Sequence, residues 1–186
     1  MRVLIACEYS GTVRSAFLSQ GHDAWSCDIE PDENNSERHI QDDVRNLLGH
    51  SWDLMIAHPP CTYLSNSGVR WLFSDVYRWP KLFEAASFFK ELLHAPIPYI
   101  AVENPVMHCY GRTLIGRGPD QTVQPWMFNV PESKAICLWL KNLPLLHPLE
   151  TKRPAQTEQK VWRMSPGKDR ARERSRFYPE VADQMA

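Results

Sequence analysis

Cys61 follows two prolines in the stretch AHPPCTYLSNSG, residues 57–68. The run before it, WDLMIA, is apolar and predicts a buried strand. Pro59 and Pro60 stiffen the chain and remove two backbone donors, so the next residue is held in place at the strand's end. That residue carries a thiol, a potential nucleophile. A later apolar run, IPYIAV, ends in Glu103 and Asn104. A thiol and a carboxyl at the ends of two strands fit nucleophilic catalysis with a proton held nearby.

The surrounding segments must bring those ends together. RVLIA (2–6) predicts a first buried strand, and GTVRSAFLSQG a helix burying Val13, Ala16 and Phe17 and stopping at Gly21. HDAWSCDI predicts a second strand ending at Asp28, followed by the polar loop PDENNSERH and a short element around 42–48. A helix is expected from Pro80, with that proline in the first helical position and Leu82, Ala85, Ala86, Phe89, Leu92 and Leu93 as its apolar stripe. MHCYGRTLIG predicts a short helix, TVQPWMF and AICLWL two late strands joined by NVPESK, and PEVADQMA a terminal helix. RPAQTEQK and SPGKDRARERS read as loops, while GVRWLFSDVYRWP is aromatic and fits no element clearly. The alternation predicts an α/β fold with a mostly parallel sheet. Ligands of such sheets bind outside the carboxyl ends of the strands, where Tyr9, Asp28, Cys61, Glu103 and Asn104 would meet.

The chain of 186 residues is 43% hydrophobic and 23% charged, with a net charge of −1, which fits one domain, residues 1–186. No apolar stretch is long enough to span a membrane, and the first run is too short for a signal peptide, so a cytoplasmic protein is expected. Five widely spaced cysteines without a CxxC argue against a disulfide framework and against a zinc site, so no metal is expected. Charge is uneven: residues 23–53 hold nine acids and two Lys/Arg, residues 151–176 nine Lys/Arg and three acids. The basic segment is either a solvated surface or a phosphate-contacting patch, and overall neutrality argues against purely electrostatic nucleic-acid binding. Trp126, Trp139 and Trp162 read as packing residues, His58 as pocket-shaping and His108 as structural.

Pro60-Cys61 and Glu103-Asn104, in this order, resemble motifs of the DNA cytosine-5 methyltransferases. CEYSGTVRSAF resembles the glycine-rich first motif with only Gly11 kept, and DDV (42–44) resembles the third. VPESKAICLWL resembles the eighth, with Glu132 and Lys134 in place of Gln and Arg, and RSRFYPEVADQMA resembles the last. The ordered set looks closest to short methylase-like proteins of phages and prophages. The resemblance implies a Rossmann-like S-adenosylmethionine-dependent fold, mostly parallel with a late antiparallel strand. It implies cofactor contacts from Glu8, Tyr9, Ser10, Gly11, Asp28, Asp43 and Pro59. It implies Cys61, Glu103 and Asn104 as the catalytic set, and substrate contacts from Pro60, Ser65 and Lys134.

The implied reaction makes sense of these residue types. A thiolate adding to cytosine carbon 6 makes an enamine whose carbon 5 accepts a methyl group, and a carboxyl holds the proton at N3. Such a thiol needs a lowered pKa from nearby positive charge or helix ends. The ribose diol wants a carboxylate, for which Asp28 is the candidate, and the methionine end wants amides at the helix start after Gly11, with Glu8 near its ammonium group. The basic, loop-rich segment 144–176 leaves room only for a reduced target-recognition region. DNA, single- or double-stranded, or a flipped cytosine is the expected partner. Two other readings stand beside this one. HPPC resembles the Pro-Pro motif of enzymes that methylate adenine N6 or cytosine N4, and the sparse glycines of the first motif suit a non-catalytic homologue that binds cofactor or DNA.

Overall fold

The structure, a computed structural model, describes residues 1–158 and 170–186. Its seven strands are β1 (Arg2–Ala6), β2 (Asp23–Asp28), β3 (His39–Gln41), β4 (Leu54–Ala57), β5 (Tyr99–Asn104), β6 (Gln121–Val123) and β7 (Ile136–Lys141). They form one sheet in the order β3-β2-β1-β4-β5-β7-β6. The first five are parallel, and β7 is antiparallel to both of its neighbours. This is the expected mixed α/β, Rossmann-like arrangement with a late antiparallel strand.

Side chains alternate along each strand, so the sheet builds two apolar layers. Leu4, Met55, Ile100 and Val102 pack against α2 (Arg78–Leu93) through Leu82, Ala86, Phe89 and Leu92. Val3, Ile5, Ile56 and Ala101 face α1 (Thr12–Ser19) through Val13, Ala16 and Phe17, together with Ala182 near the chain's end. Trp139 is fully buried and meets Phe89 edge-on at 5.0 Å, and Trp126 is buried as well. Trp162 lies outside the described residues, as does the 159–169 part of the basic segment expected at 144–176.

Local readings are corrected in three places. α2 begins at Arg78, so Pro80 is its third residue. The first turn of a helix has no intrahelical use for its N–H groups and tolerates a proline throughout. TVQPWMF is a strand only as far as Val123, because Pro125 cannot donate to a ladder and opens a 3-10 turn over Pro125–Phe128. SPGKDRARERS ends in a helix, α4 (Arg170–Ser175), which follows the short helix α3 (Cys109–Ile115) and precedes the terminal α5 (Pro179–Met185). The aromatic stretch that fitted no element forms a 3-10 turn over Asn66–Leu72 and then the start of α2.

Candidate active site

Strand register decides which residues meet. Ala6 pairs with Cys27 on one side and with Ala57 on the other, and Ala57 pairs with Val102. The next residues, Cys7, Asp28, His58 and Glu103, therefore stand level along the carboxyl rim. The chain leaves β1 toward β2 and β3, then returns to β4 and β5, so the direction reverses between β1 and β4, the usual ligand crevice of such sheets. A cavity of about 40 Å³ lies there, lined by Cys7, Glu8, Tyr9, Ser10, His58, Ser175 and Phe177.

The last two of these come from the end of the chain, which covers the crevice. Phe177 packs on the His58 ring at 4.8 Å. The Tyr9 hydroxyl donates to the Arg172 carbonyl at 2.8 Å and lies 2.9 Å from the Ser175 hydroxyl. Arg172 and Arg176 both pair with Glu33, at 2.9 and 3.0 Å. Nothing in the spacing of the sequence marks Ser175 and Phe177 individually; the signal is that both fall in RSRFYPEVADQMA, the stretch that resembles the last motif.

The expected cofactor residues sit around this crevice with partners of their own. The Glu8 carboxylate is buried and accepts from the Val13 and Arg14 amides, at 2.6 and 3.2 Å, so it caps α1 and takes up two of that helix's free N–H groups. Burial pushes its pKa up, against the pull of His58 and those amides. Gly11 is the cap residue at φ +71°, and a Cβ there would run into the Arg14 guanidinium. Asn34 donates to the Ser10 carbonyl at 3.0 Å, which ties the loop after β2 to the loop after β1. Asp28 accepts from the Glu30 amide at 3.0 Å, and burial raises its pKa. Asp43 caps the 3-10 turn Val44–Leu47 and is held low, first by the Arg45 amide and then by its guanidinium 3.0 Å away.

Cys61 is half-buried, and its carbonyl accepts from the amides of Leu64 and Ser65, at 3.1 and 2.8 Å. The expected lowering of its pKa is not what the site produces. Burial pushes the thiol up and Glu103 adds to this, while Lys134 and Arg174 pull the other way and lose. Glu103 reaches His58 Nδ1 at 3.7 Å. Asn104 is fully buried and its side-chain amide donates to the Pro105 carbonyl at 2.6 Å, so it shapes the loop. His58 Nε2 and Asn104 Oδ1 are buried without a hydrogen-bond partner among the described residues. Lys134 donates to the Arg174 carbonyl at 3.1 Å and lies 5.4 Å over the Tyr178 ring.

The loops after β4 and β5 are joined to each other. Ser65 pairs with Met107 as an isolated antiparallel bridge, and the Asn66 amide donates to the Val106 carbonyl at 2.7 Å. Ser65 is buried there, 3.0 Å from the Ser67 hydroxyl. His108, the buried cap of α3, accepts from the Gly111 amide at Nδ1 (3.0 Å), so its hydrogen is on Nε2 and is donated to the Tyr63 carbonyl (2.9 Å). The structural reading of His108 thus gains a definite task.

No family model matches the chain, and no curated protein does. Solved structures do match it. A proposed DNA modification methyltransferase encoded within an E. coli prophage aligns over 74% of this chain and 45% of its own, at 16% identity and a TM-score of 0.50. A methyltransferase of Entamoeba histolytica aligns over 83% of this chain and 57% of its own, at 13% identity and a TM-score of 0.53. The chain spans about half the length of these two proteins. The likeness shows the fold, the Rossmann-like fold of methyltransferases.

Proposed function

We propose that the protein transfers a methyl group from S-adenosylmethionine to carbon 5 of cytosine in DNA, through a covalent bond between Cys61 and the ring. The observation that carries this reading is that Cys61, four residues past the end of β4, lies near enough to Glu103, at the end of the neighbouring parallel β5, for the carboxylate to raise the thiol's pKa. DNA as substrate is supported by the description of the prophage protein that shares the fold.

The crevice fits such a cofactor in donor chemistry. Asp28 offers a half-buried carboxylate to a ribose diol, and burial has made its charge costly enough to welcome donors. His58 Nε2, buried without a partner among the described residues, is a position where a polar group of the cofactor fits. Asp43, Tyr9, Ser10, Gly11 and Pro59 complete the proposed contacts. Because Glu8 holds the α1 amides, it acts by fixing the loop, and the segment with Ser175 and Phe177 has to shift to enlarge a cavity of about 40 Å³. When bound, the cofactor supplies an electrophilic methyl group.

The chain's own residues do the rest. The thiolate form of Cys61 adds to carbon 6 as protonated Glu103 gives its proton to N3, leaving carbon 5 electron-rich. Protonated Glu103 also ceases to repel the thiolate, so a proton on the carboxyl favours both steps. After methylation, water takes the carbon 5 proton, Cys61 leaves as the thiolate, and N3 returns its proton to Glu103, which restores the ring. Pro60, Ser65 and Lys134 are the proposed substrate contacts beside this path.

The test is incubation with S-adenosylmethionine and DNA containing 5-fluorocytosine. A denaturation-stable adduct that vanishes in Cys61→Ser supports the reading. Methyl transfer to ordinary DNA that survives Cys61→Ala assigns the protein to amino-group methylation. Absence of cofactor binding by calorimetry removes both.

A further inference from the structure

Beyond Cys61, the surface carries large rings that no described residue covers. Trp71 is 48% exposed, Phe73 67%, Tyr77 78% and Phe83 53%. Isolated exposed apolar residues are ordinary, but a cluster on one short stretch marks an interaction site. One of these rings, Phe73, is braced by two others. Phe73, Trp79 and Tyr110 meet edge-on, with centroids 6.2, 5.9 and 5.4 Å apart. Phe83 lies one turn after Trp79 on α2, hence on the same side.

Cations are threaded among the rings. Arg70 lies 4.5 Å over Trp71, while Arg78 and Lys81 lie 4.7 and 5.7 Å over Tyr63. Residues 66–83 hold these three cations and a single acid, Asp75. The patch is continuous with the proposed site: Tyr63 is two residues past Cys61, and Tyr110 packs 6.0 Å from His108, which holds the Cys61 loop.

We propose that this surface, the Asn66–Leu72 turn with the start of α2, binds single-stranded nucleic acid. Exposed rings stack unpaired bases and the interleaved cations take phosphates, a combination that tolerates any sequence. A duplex keeps its base faces hidden, so it cannot use the rings. A second copy of the chain docking here about a two-fold axis would set this net-cationic patch against the same net-cationic patch. The surface deepens the proposed function, since a base outside a duplex reaches Cys61 without the cost of being flipped. The binding itself does not depend on the methylation chemistry.

The probe is fluorescently labelled oligothymidylate, which contains no cytosine, compared with the same strand in a dA·dT duplex. The full chain should bind the single strand more tightly than the duplex. Three phosphate contacts predict a slope of about −2 in log affinity against log salt. Trp71→Ala and Phe73→Ala should each weaken binding about tenfold, while Arg70→Lys, which keeps the charge, should cost less. Cys61→Ser should leave this binding unchanged, so the methylation reading can fail while the surface stands. Equal affinity for duplex, unchanged binding in the ring variants, no binding by the wild type, or a dimer that Phe73→Ala dissociates would each overturn the proposal.

Discussion

The two ends of the carboxyl rim are built in opposite ways. Over β1 and β2 the polar groups are turned on one another: Glu8 on α1, Tyr9 and Glu33 on the terminal segment, Arg14 on Asp32 in a buried pair at 2.9 Å. Past β4 the chain instead exposes rings and cations on its surface. A region that satisfies itself must open before it can bind, whereas the exposed rings are ready for a partner. The first arrangement suits a small molecule that is enclosed, the second a polymer that is laid along a surface.

Variants can break this contrast in graded steps. Cys61→Ser, between the two regions, should abolish the 5-fluorocytosine adduct altogether. Glu103→Gln, which cannot supply the proton, should lower kcat by about 10²–10³ while leaving oligothymidylate binding as it was, checked by single-turnover methyl transfer. The enclosed region should also be sensitive to alkali. Burial raises the thiols of Cys7 and Cys27, the latter from 9.0 to about 11. The folded chain keeps protons there that the unfolded chain releases, so the stability they contribute is whole below pH 9 and is lost as pH climbs toward 11. That amounts to about 2–3 kcal/mol for Cys27, measured by urea titrations at stepped pH. His108→Ala removes a cap and a loop tie and should cost about 2 kcal/mol in the same assay. Glu33→Gln releases two exposed arginines and should change stability by less than about 1 kcal/mol, yet speed proteolysis within 170–178.

The legible part of this molecule was the part governed by period and punctuation. Apolar runs such as LMIA and YIAV announced the central strands, Gly21 the stop of α1, and Pro-Pro before Cys61 a fixed strand end. Sequence alone could not say that Glu8 would turn back onto α1, because capping depends on where the loop's αL residue, Gly11, sends the chain. Nor could it give the sign of the Cys61 shift. Lys134 and Arg174 are distant in sequence, and only the fold sets their pull against burial. The aromatic stretch at 68–80 was obscure for a related reason: its rings face solvent, so they follow no core-facing period.

His108 carries a consequence of its own. One imidazole, locked in a single tautomer, bridges the loop that bears the thiol and the loop that follows the carboxyl. The loops carrying the two proposed reacting groups, Cys61 and Glu103, are thereby tied to each other, and the tie limits how far one can move from the other. In the proposed reaction the alignment of the pair is stored by folding, once, instead of being found again with each substrate.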